Sequence, residues 1–112
     1  MSSCSSKEFC ICGIRVCVYG LDELRESTRV SCLWLLHPRL QDQSYMTPVA
    51  QSAIGAWNDH AVHSDPDTRP GLIAVTFDQR NHGTRLVDAR SNEDWRSGND
   101  SHALDMFGII RS

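Results

Sequence analysis

The sequence predicts an α/β domain: a sheet with an antiparallel ribbon at its amino-terminal side, two further parallel strands, and two helices. Two runs, residues 30–36 and 72–78, are almost wholly apolar, as in strands covered on both faces of a parallel sheet. A segment with helical spacing separates them, as a right-handed crossover requires. Ligands of such sheets bind beyond the carboxyl ends of the strands, so the polar residues after each run are the candidate site.

Composition limits the classes of protein to consider. A chain of 112 residues is one domain and buries about two-thirds of its unfolded surface. Its hydrophobic content of 40% and charged content of 22% are ordinary for a globular protein, and we expect disorder only over residues 1–7, with the domain spanning 8–112. A net charge of −3 gives no electrostatic basis for nucleic-acid or membrane binding, so we expect neither partner.

Cysteine usage and hydropathy favour a cytoplasmic location. No apolar run approaches the roughly 20 residues of a membrane span, and the apolar run 9–19 is interrupted by Arg15. The five cysteines are odd in number and lie in the first third of the chain, which fits reduced thiols. No Cys-x-x-Cys pair is present, so we predict no metal and no cofactor. A weaker interpretation is a thiol- or metal-dependent site at Cys10, Cys12 and Cys17.

The first elements form the ribbon. Residues 8–12 and 14–19 are two β-type runs on either side of Gly13, which predicts a tight hairpin or a bulged continuous strand. Residues 20–28 are charged and are interpreted as a solvated connection to the run 30–36.

Two helices complete the prediction. Residues 48–60 place their apolar side chains on one face, with Thr47 as N-cap and Pro48 at the first helical position. Residues 84–99 are long, charged and without clear periodicity. Ser101 then caps a second helical pattern whose apolar stripe comprises Leu104, Phe107 and Ile110.

Polar turns follow both apolar runs. His37 comes directly after the first; Asp78 ends the second, Arg80 and His82 follow it, and Gly83 closes the turn. We expect His37 to brace its loop, with a role as base the alternative, since no serine or cysteine precedes it at a suitable place. We expect His82 to be structural, because it precedes Gly83 in a left-handed bend. Asp78 and Arg80 are expected to close the turn by a local ion pair, with a catalytic role as the alternative.

These turns resemble those of one family. Residues 35–40, Leu-Leu-His-Pro-Arg-Leu, resemble the strand that ends in a His-Gly loop in α/β-hydrolases. Residues 77–83, Phe-Asp-Gln-Arg-Asn-His-Gly, resemble the Asp-x-Arg-x-x-Gly turn after the next strand of that fold. Their order and spacing also match, and the combined string is similar to uncharacterised fungal α/β-hydrolases. The resemblance covers residue 8 to the end.

The resemblance implies an incomplete α/β-hydrolase-like domain. The family carries its nucleophile on a Gly-x-Ser-x-Gly turn after the strand that follows the second helix, and its acid and histidine come later. No serine here has a glycine two residues away on each side, so we expect nucleophile, acid and base all to be missing and the domain to be truncated before the nucleophile strand. Complete relatives would hydrolyse an acyl or ester bond of a small molecule, while this chain alone would be inactive.

The same resemblance implies half an oxyanion hole. One donor in the family is a backbone N–H of the loop after the His-Gly strand, which corresponds here to Arg39 or, as the alternative, Leu40. Pro38 stands where glycine is usual, and proline has no N–H to donate.

Carrying over the family's strand order makes residues 30–36 an edge strand, because its other neighbour would be the missing nucleophile strand. An uncharged apolar edge is a template for pairing, so we expect self-association through this strand, or a partly molten chain. The second interpretation is therefore a non-catalytic truncated pseudoenzyme or interaction module.

Overall fold

The structure, a computed structural model, describes residues 4–24, 29–61 and 70–87 together with Asn92, Ala103, Leu104 and Phe107. Its elements, in chain order, are β1 (Ser6–Ile11), β2 (Ile14–Tyr19), β3 (Val30–Leu35), a 3-10 helix (Gln43–Met46), α1 (Thr47–Ala61), β4 (Gly71–Phe77) and a second 3-10 helix (Gly83–Arg85). The broad α/β class predicted from the sequence is confirmed.

The four strands form one mixed sheet in the order β1-β2-β4-β3. β2 pairs antiparallel with both β1 and β4, whereas β3 and β4 are parallel. In that parallel pair Val30 lies opposite Gly71, and Leu35 lies opposite Thr76. The two apolar runs therefore share one sheet, and the polar segments that follow them leave from the same rim.

The amino-terminal ribbon is a hairpin with a two-residue loop. Cys12 and Gly13 both have positive φ, 52° and 80°, which is the backbone twist that a tight antiparallel turn requires. β1 begins at Ser6, two residues before the start expected from the pattern. The Ser5 N–H and hydroxyl donate to the two carboxylate oxygens of Glu23, at 2.7 and 2.8 Å, and these bonds hold the chain ahead of β1 against the connection after β2.

Helix α1 covers one face of the sheet. Ala50 and Ile54 are fully buried and pack against Tyr19 of β2 and Ala74 of β4. The Tyr19 hydroxyl lies 2.8 Å from Oγ1 of Thr47, so a hydrogen bond also ties the first residue of the helix to the sheet. This layer is the main core, and its Ile54 lies beside Gly20 and Leu72, near the start of β4.

The opposite sheet face carries a second apolar cluster, centred on Val16, Val18 and Val75. Phe77 packs against that cluster and meets Trp34 of β3 edge to face, with ring centroids 6.2 Å apart. Alternate residues of a strand point to opposite faces, so β2, β4 and β3 each contribute apolar side chains to both sides of the sheet.

The prediction that the run 30–36 is covered on both faces is wrong. Val30, Trp34 and Leu36 are 48, 63 and 56% exposed. Within the described residues β3 pairs only with β4, so it is an edge strand, and α1 covers only the face that carries Leu33 and Leu35. An apolar run reports the character of a strand but not how many neighbours it has.

The predicted pair of helices is matched only by α1 in the described part of the chain. The helix predicted from Ser101 lies outside the described residues, apart from Ala103, Leu104 and Phe107, and most of the segment 84–99 lies outside them too. Of the helices that the structure describes, none is long and apolar enough to cross a membrane.

Candidate functional site

The candidate site is the rim where β3 and β4 end. His37 follows β3, while Asp78 and His82 belong to the turn after β4. The rings of His37 and His82 have centroids 5.1 Å apart and are tilted by 51°, and each residue is only 3% exposed. Parallel pairing of the strands thus brings together histidines that are far apart in sequence.

His37 joins the end of β3 to the turn after β4. Its Nε2 accepts the backbone N–H of Gln79 at 3.0 Å, and the Gln79 side-chain amide donates back to the carbonyl of His37. The Nδ1 atom lies 2.8 Å from the carbonyl oxygen of Pro38. A carbonyl only accepts, so the network assigns the ring proton to Nδ1.

His82 makes the reciprocal connection. Its Nε2 accepts the backbone N–H of Leu40 at 3.1 Å, and its Nδ1 donates to the carbonyl of Arg80 at 3.0 Å. Each histidine therefore accepts a hydrogen bond from a backbone N–H of the other histidine's loop, and both nitrogens of each ring are bonded to backbone groups. The one acceptor nitrogen of each neutral ring is already occupied by a backbone N–H, so neither ring can act as a base or a metal ligand in this state.

This network separates the two oxyanion-hole candidates. The Leu40 N–H already donates to His82, and Leu40 itself has a positive φ of 70°. The side chain of Arg39 donates to the carbonyl of Asn92 at 2.7 Å and so anchors the loop from its other side. Of the two, Arg39 is the candidate that we retain below.

Asp78 is the buried acceptor of the rim, with 2% of its surface exposed. Its Oδ1 accepts the backbone N–H of Gln43 at 2.8 Å, and its Oδ2 accepts both the N–H and the hydroxyl of Thr84, at 2.9 and 2.6 Å. Burial raises the pKa of this carboxyl, but the hydrogen bonds from Thr84 and Gln43 outweigh burial and hold the pKa below its usual value. Asp78 therefore stays ionised and ties the first 3-10 helix to the second.

The expected ion pair between Asp78 and Arg80 is replaced by these contacts. The Asp78 carboxylate is taken up by donors from Gln43 and Thr84, and the guanidinium that reaches Asp78 is that of Arg85, which donates to its carbonyl at 3.1 Å. Arg80 is exposed, and its backbone carbonyl accepts the hydrogen bond from Nδ1 of His82. Oriented backbone N–H groups balance the buried charge, as in other buried carboxylates.

Gly83 is required by the position of Asp78. Its φ is +51°, and a Cβ placed on it would lie 2.5 Å from the Asp78 carboxyl carbon. The glycine thus allows both a left-handed backbone and the approach of a buried carboxylate.

We expect Gly83→Ala to lower the free energy of unfolding by about 2 kcal/mol or more, because the added methyl group both strains the backbone and displaces Asp78. Gly13→Ala is the matched control, since Gly13 also has positive φ but a Cβ added there would meet nothing within 4 Å. Urea denaturation of both variants gives the comparison. Equal losses of stability in the two variants would show that the position of Asp78 does not require a glycine at residue 83.

Two asparagines also belong to the rim: Asn81 lies among the polar residues predicted as the candidate site, whereas Asn92 carried no functional prediction. Asn92 is 3% exposed; its side-chain amide donates to the Asn81 carbonyl at 2.7 Å, and its Oδ1 accepts from the Asn81 side chain at 3.2 Å. Asn81 has φ of 62°. Asparagine tolerates this conformation and bonds its own backbone region, so Asn81 had a turn signal. Asn92 had none, because it lies in a charged segment without periodicity.

The cysteines of the hairpin and of β2 differ in exposure. Cys10 and Cys12 are exposed on the β1–β2 hairpin, and Cys17 is partly buried in β2. Within the described ranges no three His, Cys, Asp or Glu side chains are grouped so that they could hold a metal ion.

Chemically, the rim is a brace. Its histidines bond backbone N–H and carbonyl groups, and its buried carboxylate accepts from Gln43 and Thr84, so these contacts hold the loop after β3 against the turn after β4. Searches of protein-family models, curated proteins and solved structures find no match to this chain.

Proposed function

We propose that this chain is the amino-terminal portion of a serine-type α/β-hydrolase domain that acts on an acyl or ester bond of a small molecule. The observation that carries the proposal is the reciprocal pair of bonds from Gln79 N–H to His37 and from Leu40 N–H to His82. These bonds fix the loop after β3 against the turn after β4, on the rim where open α/β sheets bind their ligands.

In this proposal the braced loop supplies the oxyanion hole. The backbone N–H of Arg39 is the donor, and a donor of this kind is worth about 3 kcal/mol of the barrier when its position is fixed in advance. Two hydrogen bonds hold the backbone on either side of this donor: the Arg39 side chain donates to the Asn92 carbonyl, and the Leu40 N–H donates to His82. Pro38 restricts the backbone immediately before the donor.

The proposal assigns the nucleophile, its acid and its base to a part of the protein other than these 112 residues, and it therefore requires the chain alone to be catalytically incompetent. We expect no hydrolysis of short-chain aryl esters above the buffer rate and no labelling by a fluorophosphonate probe. Turnover that a serine-directed inhibitor abolishes would refute this. A heat-denatured sample of the same chain gives the background of both assays.

Reading the coding sequence beyond Ser112 tests the family itself. The proposal requires a Gly-x-Ser-x-Gly turn within a few tens of residues, preceded by a strand-like apolar run. A stop codon, or a continuation without such a turn, would reject the hydrolase in favour of the second candidate, a non-catalytic interaction module. The exposed apolar edge of β3 favours that candidate, because a free strand edge can take a further strand.

A further inference from the structure

The two edges of the sheet differ in their protection against pairing. β1, at one edge, carries Lys7 and Glu8, and Lys7 forms an ion pair with Asp22 at 3.0 Å. Charged side chains on an edge strand discourage the addition of another strand. β3, at the other edge, has the sequence Val-Ser-Cys-Leu-Trp-Leu and no charge at all. The chemistry therefore singles out β3 as the pairing edge.

The exposed apolar side chains of this edge share one face. Val30, Cys32, Trp34 and Leu36 alternate along the chain, and all four are exposed, whereas Leu33 and Leu35 on the other face pack against the core beside α1. Trp34 alone leaves 63% of its large surface accessible. A strand added to β3 would satisfy backbone groups and cover apolar surface together.

We propose that a second copy of this chain pairs antiparallel with β3 across a two-fold axis, joining the two four-stranded sheets into one. With the axis at Leu33, Val30 lies opposite Leu36 of the second copy, and Cys32 lies opposite its Trp34. A two-fold axis perpendicular to the sheet keeps each face continuous, so these pairs all lie on the exposed face. Each exposed apolar side chain thereby meets another apolar side chain.

The charge pattern also makes a second copy the fitting occupant. Two β3 strands meet without like-charge repulsion, since neither contributes a charge between Val30 and Leu35. The joined sheet then ends in two β1 strands, both protected by Lys7 and Glu8, so the assembly closes as a dimer and does not grow into a fibre. This inference rests on the β3 edge of the 112-residue chain; in a longer hydrolase chain the nucleophile strand would take the same place beside β3.

Sedimentation equilibrium across a dilution series tests the dimer. We expect a mass of twice 12.6 kDa at high concentration and dissociation on dilution. Trp34→Lys places a charge in the middle of the edge and removes its largest apolar group, so we expect dimerisation at least roughly tenfold weaker. Phe9→Lys is the matched control: Phe9 is 43% exposed on β1, and we expect its variant to dimerise like the parent.

Thiol alkylation of the unmodified chain gives a second readout that needs no variant. Cys32 lies on the pairing edge, while Cys10 and Cys12 are exposed on the hairpin at the far edge and serve as internal references. We expect alkylation of Cys32, followed by peptide mass spectrometry, to slow as the dimer forms while the references stay constant. A monomer at every concentration, an aggregate without a discrete dimer, dimer loss in Phe9→Lys alone, or an unchanged Cys32 rate would each overturn the proposal.

Discussion

Asp78→Asn is expected to lower the free energy of unfolding at pH 7 by about 3 kcal/mol. The carboxylate accepts from Gln43 on one oxygen and from two groups of Thr84 on the other. An asparagine side chain has the same shape but only one acceptor oxygen, because an NH₂ group replaces the other. The donor that bonds this second oxygen, from Gln43 or Thr84, would then face an NH₂ group, and both donors would be buried without an acceptor. Urea denaturation at one fixed protein concentration measures the loss.

Asp59→Asn is the control for this substitution. Asp59 is exposed on α1, so the same chemical change there should alter stability by no more than about 0.5 kcal/mol. A loss at Asp78 no larger than the loss at Asp59 would mean that the rim does not depend on the carboxylate.

The pH dependence of the Asp78 effect follows from its lowered pKa. The folded-state pKa lies below the unfolded value of about 3.9, so ionised Asp78 contributes its full stabilisation above that unfolded value. The contribution is lost as the pH falls below about 4 and through the folded pKa. The stability gap between parent and Asp78→Asn should therefore be constant at neutral pH and narrow in acid.

Much of the sheet could be predicted from the sequence because its signals are local. Gly13 between two β-type runs indicated the hairpin, and Thr47 followed by Pro48 marked the start of the helix, which begins at Thr47. The two apolar runs also share one sheet in parallel, with their polar turns at one rim. Each of these features depends on the residue types within one short segment.

The contacts of the rim could not be predicted because they join segments distant in sequence. The bonds from Leu40 to His82 and from Gln79 to His37 each span 42 positions. Sequence reasoning paired Asp78 with a charge two residues away, but burial selects oriented backbone N–H donors instead. Exposure of Trp34 was missed for a related reason, since the apolar run 30–36 does not reveal which face of β3 another element covers.

Ile54→Ala should cause a loss of about 3 kcal/mol, within the range of roughly 2–5 kcal/mol for truncating a fully buried aliphatic side chain. Ile54 is 0% exposed between α1 and the sheet, and a Cβ added at Gly20 would lie only 3.1 Å from its Cδ1 atom. The backbone below cannot easily collapse into the cavity, because Gly20 already has a positive φ of 91° and its N–H donates to Ser5.

Val49→Ala is the control on the same helix, since Val49 is 45% exposed and should lose less than about 1 kcal/mol. A domain of this size is stable by only about 5–15 kcal/mol, so the loss at Ile54 is a large share of the total. Far-ultraviolet circular dichroism and intrinsic fluorescence should report one coincident urea transition that shifts for Ile54→Ala and hardly moves for Val49→Ala. Equal shifts in the two variants would mean that packing of α1 on the sheet does not supply the main core of the domain.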